Sequence, residues 1–228
     1  MNPAEKERHL VRTADGSYTL YQPDVGEHYH SVNGALAESR HVFLESGLQF
    51  FMGEKGSPAV RILEVGFGTG LNFLLSWMYC AEKQIRLDYT GIEAFPLPLP
   101  LMKETGYEAY VGETSMNTFY AHYPEALLET VQPDDHTQLR IENTEWPVFT
   151  SEKGFDVVYF DAFASARQPE MWEDESIGKA ASLLEPGGVF VTYAITGKMK
   201  RQFRALGFRV QKIPGAPGKR EMLRAIKL

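Results

Sequence analysis

Three carboxylates and one glycine-rich turn are the residues best suited to chemistry. Glu64-Val65-Gly66-Phe67-Gly68-Thr69-Gly70 sets three glycines at alternate positions behind a short apolar run. Glycine lets a backbone bend sharply and approach a ligand with no Cβ in the way, so this turn suits a nucleotide-like molecule. A dinucleotide site wants glycines at the first, third and sixth positions. Here the sixth is Leu71, and the third glycine falls one residue early at Gly70. Glu93 closes the next apolar run, where a carboxylate can accept both ribose hydroxyls of an adenosine. The alternative is an acid that only solvates a strand end. Asp161 closes a third run, Phe155-Asp156-Val157-Val158-Tyr159-Phe160, and would arrive at the same edge.

Those residues need strands to bring them together. Val60 to Val65, the glycine turn and Leu71 to Glu82 read as strand, turn and helix. The pattern continues with a strand at Leu87 to Ile92, a helix around Leu97 to Thr105, and a helical stretch from Thr114 to Leu128 interrupted by Pro124. Strands at Gln138 to Ile141 and Phe155 to Phe160, a helix at Asp174 to Leu184, a strand at Val189 to Ile195 and a helix at Lys198 to Leu206 follow. Strands alternating with helices predict an α/β fold with a mostly parallel, Rossmann-like sheet covered on both faces. Phe208 to Ile213 and Met222 to Ile226 have no crossover helix between them, so this last pair should be antiparallel. Before the sheet, His9 to Ala14 and Ser17 to Tyr21 flank Asp15-Gly16, which predicts a hairpin with a tight type I′ turn. Gly34 to Met52 suggests a helix with an imperfect apolar stripe. The expected division is an extension, 1–58, packed on a main domain, 59–228.

Composition sets outer limits. The chain has 228 residues, 43% hydrophobic and 23% charged, as in an ordinary folded domain. Its longest apolar runs fall far short of a membrane span, and the charged start carries no signal-like stretch, so a cytoplasmic protein is expected. The single cysteine, Cys80, excludes an intramolecular disulfide and reads as a helix-packing residue. Net charge is −7, yet the last thirty-one residues hold ten basic residues against Glu221, a local +9. Clustered Lys and Arg, rather than total charge, attract phosphates. His28, His30 and His41 have no Cys or carboxylate at ligand spacing, so no metal is expected.

Longer motifs carry a family resemblance. Glu-x-Gly-x-Gly-x-Gly resembles the first motif of class I S-adenosylmethionine-dependent methyltransferases. Asp161-Ala162-Phe163-Ala164-Ser165-Ala166-Arg167-Gln168-Pro169-Glu170-Met171-Trp172 resembles a signature of the tRNA 5-aminomethyl-2-thiouridine methyltransferases, comprising the stand-alone MnmD proteins and the methyltransferase half of the bifunctional MnmC enzymes. Asn33 to Leu44 (with Gly34, Glu38, Ser39, Val42, Phe43 and Leu44), Glu64 to Leu74, Ile92 to Leu97 and Gly218 to Leu223 resemble the same family, in the family's order. Ala162, Ser165 and Gln168 depart from its usual Gly, Pro and Asn. Asn143 stands where many members carry an acid that reads the adenine amine.

The resemblance implies S-adenosylmethionine as cofactor, with Glu64, Gly66, Phe67, Gly68, Gly70, Asn72, Glu93, Ala94, Asn143, Asp161 and Ala162 around it. It implies methyl transfer to the amine of a 5-aminomethyl group on the wobble uridine of a tRNA, recognised through its anticodon region. The bifunctional relatives carry an FAD-dependent oxidase domain after this half; none is expected here, so the oxidase step is expected to be done elsewhere or not needed, with separate enzymes as the expected source of the aminomethyl precursor. Asp161 is the candidate for orienting the amine and taking a proton, because an alkyl ammonium has no lone pair with which to attack. Its charge would also raise the amine's pKa, while desolvation of the amine lowers it. Tyr29, Phe163 and Trp172 are candidate stacking partners for an extruded base, with packing the expected role of Trp172. Tyr29, His30, Ser31, Phe163, Lys200, Arg201, Lys219 and Arg220 are the expected substrate contacts. Rival readings are a small-molecule methyltransferase of the same fold, a nicotinamide-dependent oxidoreductase disfavoured by Gly70, and a non-catalytic RNA-binding module.

Overall fold

A run of branched and aromatic residues with no polar alternation forms strands only where both faces are covered. Two such runs, β4 (Ala59–Val65) and β8 (Phe155–Phe160), lie side by side in the middle of the sheet. The computed structural model describes residues 8–228. The expectation of no export segment falls mainly on residues 1–7, outside those described. Eight strands form the main sheet, in the order β10 (Phe208–Pro214), β11 (Glu221–Lys227), β9 (Leu184–Thr192), β8, β4, β5 (Arg86–Ile92), β7 (Thr137–Glu142), β6 (Val131–Asp134). β9, β8, β4, β5 and β7 run parallel; β11, β10 and β6 are antiparallel to their neighbours. The parallel α/β sheet and its antiparallel final pair are as expected. β6 is an addition to the expected strands; Pro133 within it is tolerable because β6 is an edge strand.

The chain crosses from β5 and β7 on one side of β4 to β8 on the other. This is the strand-order reversal at which open sheets bind ligands beyond their carboxyl ends. One sheet face buries Phe73, Tyr89, Phe119 and Tyr159; the other buries Leu63, Phe160, Phe190 and Phe203. α3 (Leu71–Lys83) starts from Gly70 in the left-handed region, φ +79°, and holds the buried Cys80.

Several expectations need correction. The stretch around Leu97 to Thr105 is only α4 (Leu99–Lys103), followed by α5 (Glu108–Val111). α6 (Glu113–Ala126) runs through Pro124, whose missing N–H costs one hydrogen bond in the last turn and no break. α7 (Asp174–Ser182) ends before Leu184, which starts β9, and β9 stops at Thr192, so Tyr193 to Ile195 leave the sheet. α8 (Gly197–Ala205) is capped by the Thr196 hydroxyl accepting from Met199 N–H.

At the N-terminal side, β1 (His9–Arg12), β2 (Tyr18–Gln22) and β3 (Glu27–His28) make a small antiparallel sheet, one strand more than expected. Arg12 pairs with Tyr18, so the connection is a five-residue loop rather than a two-residue type I′ turn. Asp15 explains it. Its carboxylate accepts from Thr13 Oγ1, Ser17 Oγ and Ser17 N–H, then from Ala37 N–H at 2.9 Å at the start of the next helix. That helix is α1 (Ala35–Glu38), an 11-residue π-helical segment (Ser39–Gln49) and α2 (Phe50–Lys55). Wider i→i+5 turns rotate successive residues differently from an α-helix, which is why the apolar stripe looks imperfect. A Cβ on Gly47 would lie 2.9 Å from both Tyr159 and Val191, so this helix rests directly on β8 and β9. His41 Nε2 to the Pro214 carbonyl (2.8 Å) and Arg224 to the Ser46 carbonyl (3.2 Å) tie it to the β10–β11 hairpin. Among the described residues no helix is long and apolar enough to cross a membrane.

Candidate active site

The carboxyl ends of β4, β5 and β8 deliver the glycine turn, Glu93 and Asp161 to one cavity of about 440 Å³. That volume suits a drug-sized ligand. Gly66 and Phe67 N–H groups both donate to the Ile92 carbonyl, at 3.1 and 3.0 Å, which draws the turn against β5. Gly66 has φ +91°, and a Cβ on it would collide with the Asp161 carbonyl, so the close approach of the turn after β4 to the end of β8 requires glycine there. Glu93 Oε2 accepts from Gly68 N–H (2.9 Å) and Oε1 from Phe95 N–H (3.0 Å). Each oxygen keeps a lone pair for a ligand hydroxyl.

Behind the cavity wall, Asn72 bridges two acids. Its Nδ2 donates to Glu64 Oε1 at 2.8 Å and to Asp161 Oδ2 at 2.9 Å; Tyr89 donates to Glu64 Oε2 at 2.8 Å. Glu64 is completely buried, and burial together with the Asp161 charge drives its pKa well above the usual range against the two donated hydrogen bonds. Asp161 is pushed up to about 8 by burial and by the nearby Glu38 charge, against Asn72 and Lys219. A carboxyl of that pKa exchanges a proton near neutrality. Asn72 Oδ1 is buried with no partner among the described residues.

The loop after Asp161 is pinned. Ala164 N–H donates to Glu27 on β3 (3.0 Å), Tyr193 OH to the Ala162 carbonyl (2.9 Å), and Trp172 Nε1 to the Phe163 carbonyl (2.8 Å).

The expected site residues separate into groups. Gly66, Phe67, Gly68, Glu93, Ala94, Asp161 and Ala162 line the larger cavity; Glu64, Gly70 and Asn72 stand behind it. Tyr29, His30 and Phe163 line both this cavity and a smaller one of about 240 Å³, and Ser31 and Lys219 line the smaller. Tyr29 and Phe163 meet edge to face, their centroids 5.3 Å apart. Asn143 is exposed and lines neither cavity, whereas its neighbours Thr144 and Glu145 line the larger. Trp172 is buried as packing. Lys200, Arg201 and Arg220 line neither cavity. Lys198 pairs with Glu173 and Asp174, and Lys212 with Glu221, so part of the basic segment is already neutralised. No group of three or more His, Cys, Asp or Glu able to hold a metal occurs among the described residues. Sequence reasoning places Glu38 within a family-like stretch without assigning it chemistry, and it gives no role to Tyr193. Nothing in Leu36-Ala37-Glu38-Ser39 says that this acid is buried at a cavity until the fold is seen.

A doubly covered parallel sheet, with a glycine turn after one central strand and a ribose-ready acid after the next, defines a class I S-adenosylmethionine-dependent methyltransferase. Known proteins agree. A family model described as S-adenosyl-L-methionine-dependent methyltransferase matches residues 112–228, and the chain belongs to that family. It is 32% identical over 232 residues to the tRNA 5-methylaminomethyl-2-thiouridine biosynthesis bifunctional protein MnmC of Cupriavidus metallidurans, covering 97% of this chain and 34% of that protein. The Idiomarina loihiensis protein of the same name is 32% identical over 216 residues, covering 86% and 34%. The chain thus spans about a third of the length of these relatives. The crystal structure of MNMC2 from Aquifex aeolicus superposes with TM-score 0.75 at 23% identity, covering 98% of this chain and 72% of that one, and shows the same fold.

Proposed function

We propose that this methyltransferase modifies tRNA, transferring a methyl group to the amine of a 5-aminomethyl-(2-thio)uridine at the wobble position. The observation that carries the reading is the meeting of two cavities at Ala162 and Phe163, directly after Asp161. The larger has the glycine turn and Glu93; the smaller shares Tyr29, His30, Ala162 and Phe163 with it. The relatives similar to this chain are named for tRNA 5-methylaminomethyl-2-thiouridine biosynthesis, which suggests the substrate class.

The residues fit the cofactor. Glu93 has free lone pairs for two hydroxyls, the glycine turn admits close approach, and the unpaired Asn72 Oδ1 can accept a donor. Gly66, Phe67, Gly68, Glu93, Ala94, Asp161 and Ala162 would hold it, with Glu64, Gly70 and Asn72 supporting that wall from behind and adenine toward Thr144 and Glu145 rather than Asn143. When bound, S-adenosylmethionine would supply a sulfonium methyl for the acceptor's lone pair, with a neutral thioether as the leaving group. The chain's own task is alignment, exclusion of water and removal of one proton. Asp161 takes that proton, and Tyr29 and Phe163 flank the entering base. In this reading the chain divides into 1–58 and a main domain, 59–228, with residues 8–58 of the first part lying over the second and contributing one wall of the site, and other enzymes supply the aminomethyl precursor in the cytoplasm.

Mass-spectrometric nucleoside analysis tests it. Purified protein and S-adenosylmethionine, incubated with tRNA carrying the aminomethyl group, should convert that nucleoside to one heavier by a methylene. An unchanged nucleoside profile would retire the tRNA reading in favour of a small-molecule acceptor.

A further inference from the structure

We propose that Glu38 binds the ammonium of the acceptor in the smaller cavity, beside Asp161, and that Lys219 holds this carboxylate in place until the acceptor arrives. The inference rests on the methyl-transfer reading above and assigns the acceptor's charged group to a named pocket.

Glu38 is 4% exposed on the helix that packs over the main sheet, an expensive position for an acid unless it is paired. Its Oε1 accepts from Ser31 N–H at 2.9 Å, which fixes the carboxylate's orientation toward the cavity. Oε2 lies 3.1 Å from Lys219 Nζ but makes no hydrogen bond that satisfies its geometry. Lys219 is a loosely directed partner; its ammonium also sits 3.4 Å from the centroid of the Tyr193 ring, a cation–π contact in the same cavity. A second cation entering here finds a buried carboxylate oxygen with spare acceptor capacity and an aromatic face already used by a cation.

His30 is an independent sign that something polar belongs in this space. It is 7% exposed, lines both cavities, and its Nδ1 has no partner among the described residues. Burial keeps it neutral, with a pKa lowered to about 4, so Nδ1 can serve as an acceptor or donor to an uncharged ligand group rather than repel a cation. Phe163 forms part of the partition between the cavities, directly after Asp161 and Ala162. A planar uracil against Phe163, its side-chain ammonium on Glu38, would bring the nitrogen alongside Asp161. A side chain ending in hydroxyl or methyl would leave the Glu38 charge without a new partner. The pocket therefore selects for a primary amine as well as a base.

The test uses anticodon stem-loops carrying 5-aminomethyluridine or 5-hydroxymethyluridine at the wobble position. Binding to the wild-type protein saturated with S-adenosylhomocysteine should favour the amine at least tenfold. Equal retention of both overturns the assignment. With the amine substrate, Glu38→Gln keeps the Ser31 hydrogen bond and should raise KM for the stem-loop at least tenfold while S-adenosylhomocysteine affinity stays within twofold. An unchanged KM also overturns it. If the wild-type protein methylates neither stem-loop nor intact tRNA, the functional reading itself falls. Methylation without amine preference removes only the Glu38 pocket.

Discussion

Glu93 and Asp161 show what one residue can and cannot announce. Each is legible because an acid at the end of an apolar run must sit at a strand's carboxyl edge, whatever the rest of the chain does. Replacing Glu93 by Ala should weaken S-adenosylhomocysteine binding about tenfold or more, since hydrogen bonds to a carboxylate contribute about 1.5 kcal/mol or more; calorimetry reads it directly. Asp161→Asn keeps the side chain's shape and its accepting oxygen toward Asn72, so it should still bind cofactor, and it should lose at least about a hundredfold in methyl transfer, the usual scale of a proton-transfer group. The same substitution has a stability signature. The Asp161 pKa is raised from 3.8 to about 8 on folding, so its contribution is full below pH 4 and is lost as pH rises through 8. Wild type should therefore lose thermal stability relative to Asp161→Asn between about pH 5 and pH 8; parallel melting curves across that range would contradict the buried, raised carboxyl. Asn143 shows the limit, because a one-residue difference in where a strand end turns outward decides whether a side chain faces ligand or solvent.

The long elements are readable in the sequence and the irregular ones are not. β4, β5 and β8 follow from dense runs of branched residues, but the helix from Ala35 to Lys55 gives a poor stripe because its middle is π-helical, and no residue type marks an i→i+5 turn. Asp15-Gly16 misleads for a related reason. Asp15 commits its carboxylate to Thr13, Ser17 and the distant Ala37 N–H, and that long-range hydrogen bond fixes a wider loop than local propensity favours. Asp15→Ala should cost about 0.5–2 kcal/mol, as loss of a helix cap does, lowering the melting midpoint by a few degrees. Gly47→Ala should cost about 1–3 kcal/mol by forcing a methyl against Tyr159 and Val191. A melting point unchanged in Gly47→Ala would mean that the helix can lift from the sheet without penalty.

At the scale of the molecule, the charge asymmetry is visible in the sequence but its internal pairing is not. Lys198 and Lys212 have acidic partners, and Lys219 turns inward to Glu38, which leaves Lys200, Arg201 and Arg220 among the cations of that region that form no ion pair within the described residues. If tRNA docks there, reversing Lys200 and Arg201 to Glu should weaken tRNA binding and flatten its salt dependence, by about 0.7–0.9 in log-log slope for each phosphate no longer neutralised. Cofactor affinity should not change. Equal binding at every salt concentration would move the docking surface to the Tyr29 to Ser31 side. The Glu38–Lys219 pair has a consequence for the order of assembly. The strands that carry the glycine turn, Glu93 and Asp161 can come together before β10 and β11 exist, whereas the acceptor pocket needs residues from opposite ends of the chain. Because long-range pairings close late and N-terminal segments are synthesised first, a nascent chain would acquire its cofactor site before its acceptor site. The His41–Pro214 and Arg224–Ser46 ties join the terminal hairpin to the N-terminal helix, so acceptor selectivity, if it rests on Glu38 as proposed, should appear only when folding is finished.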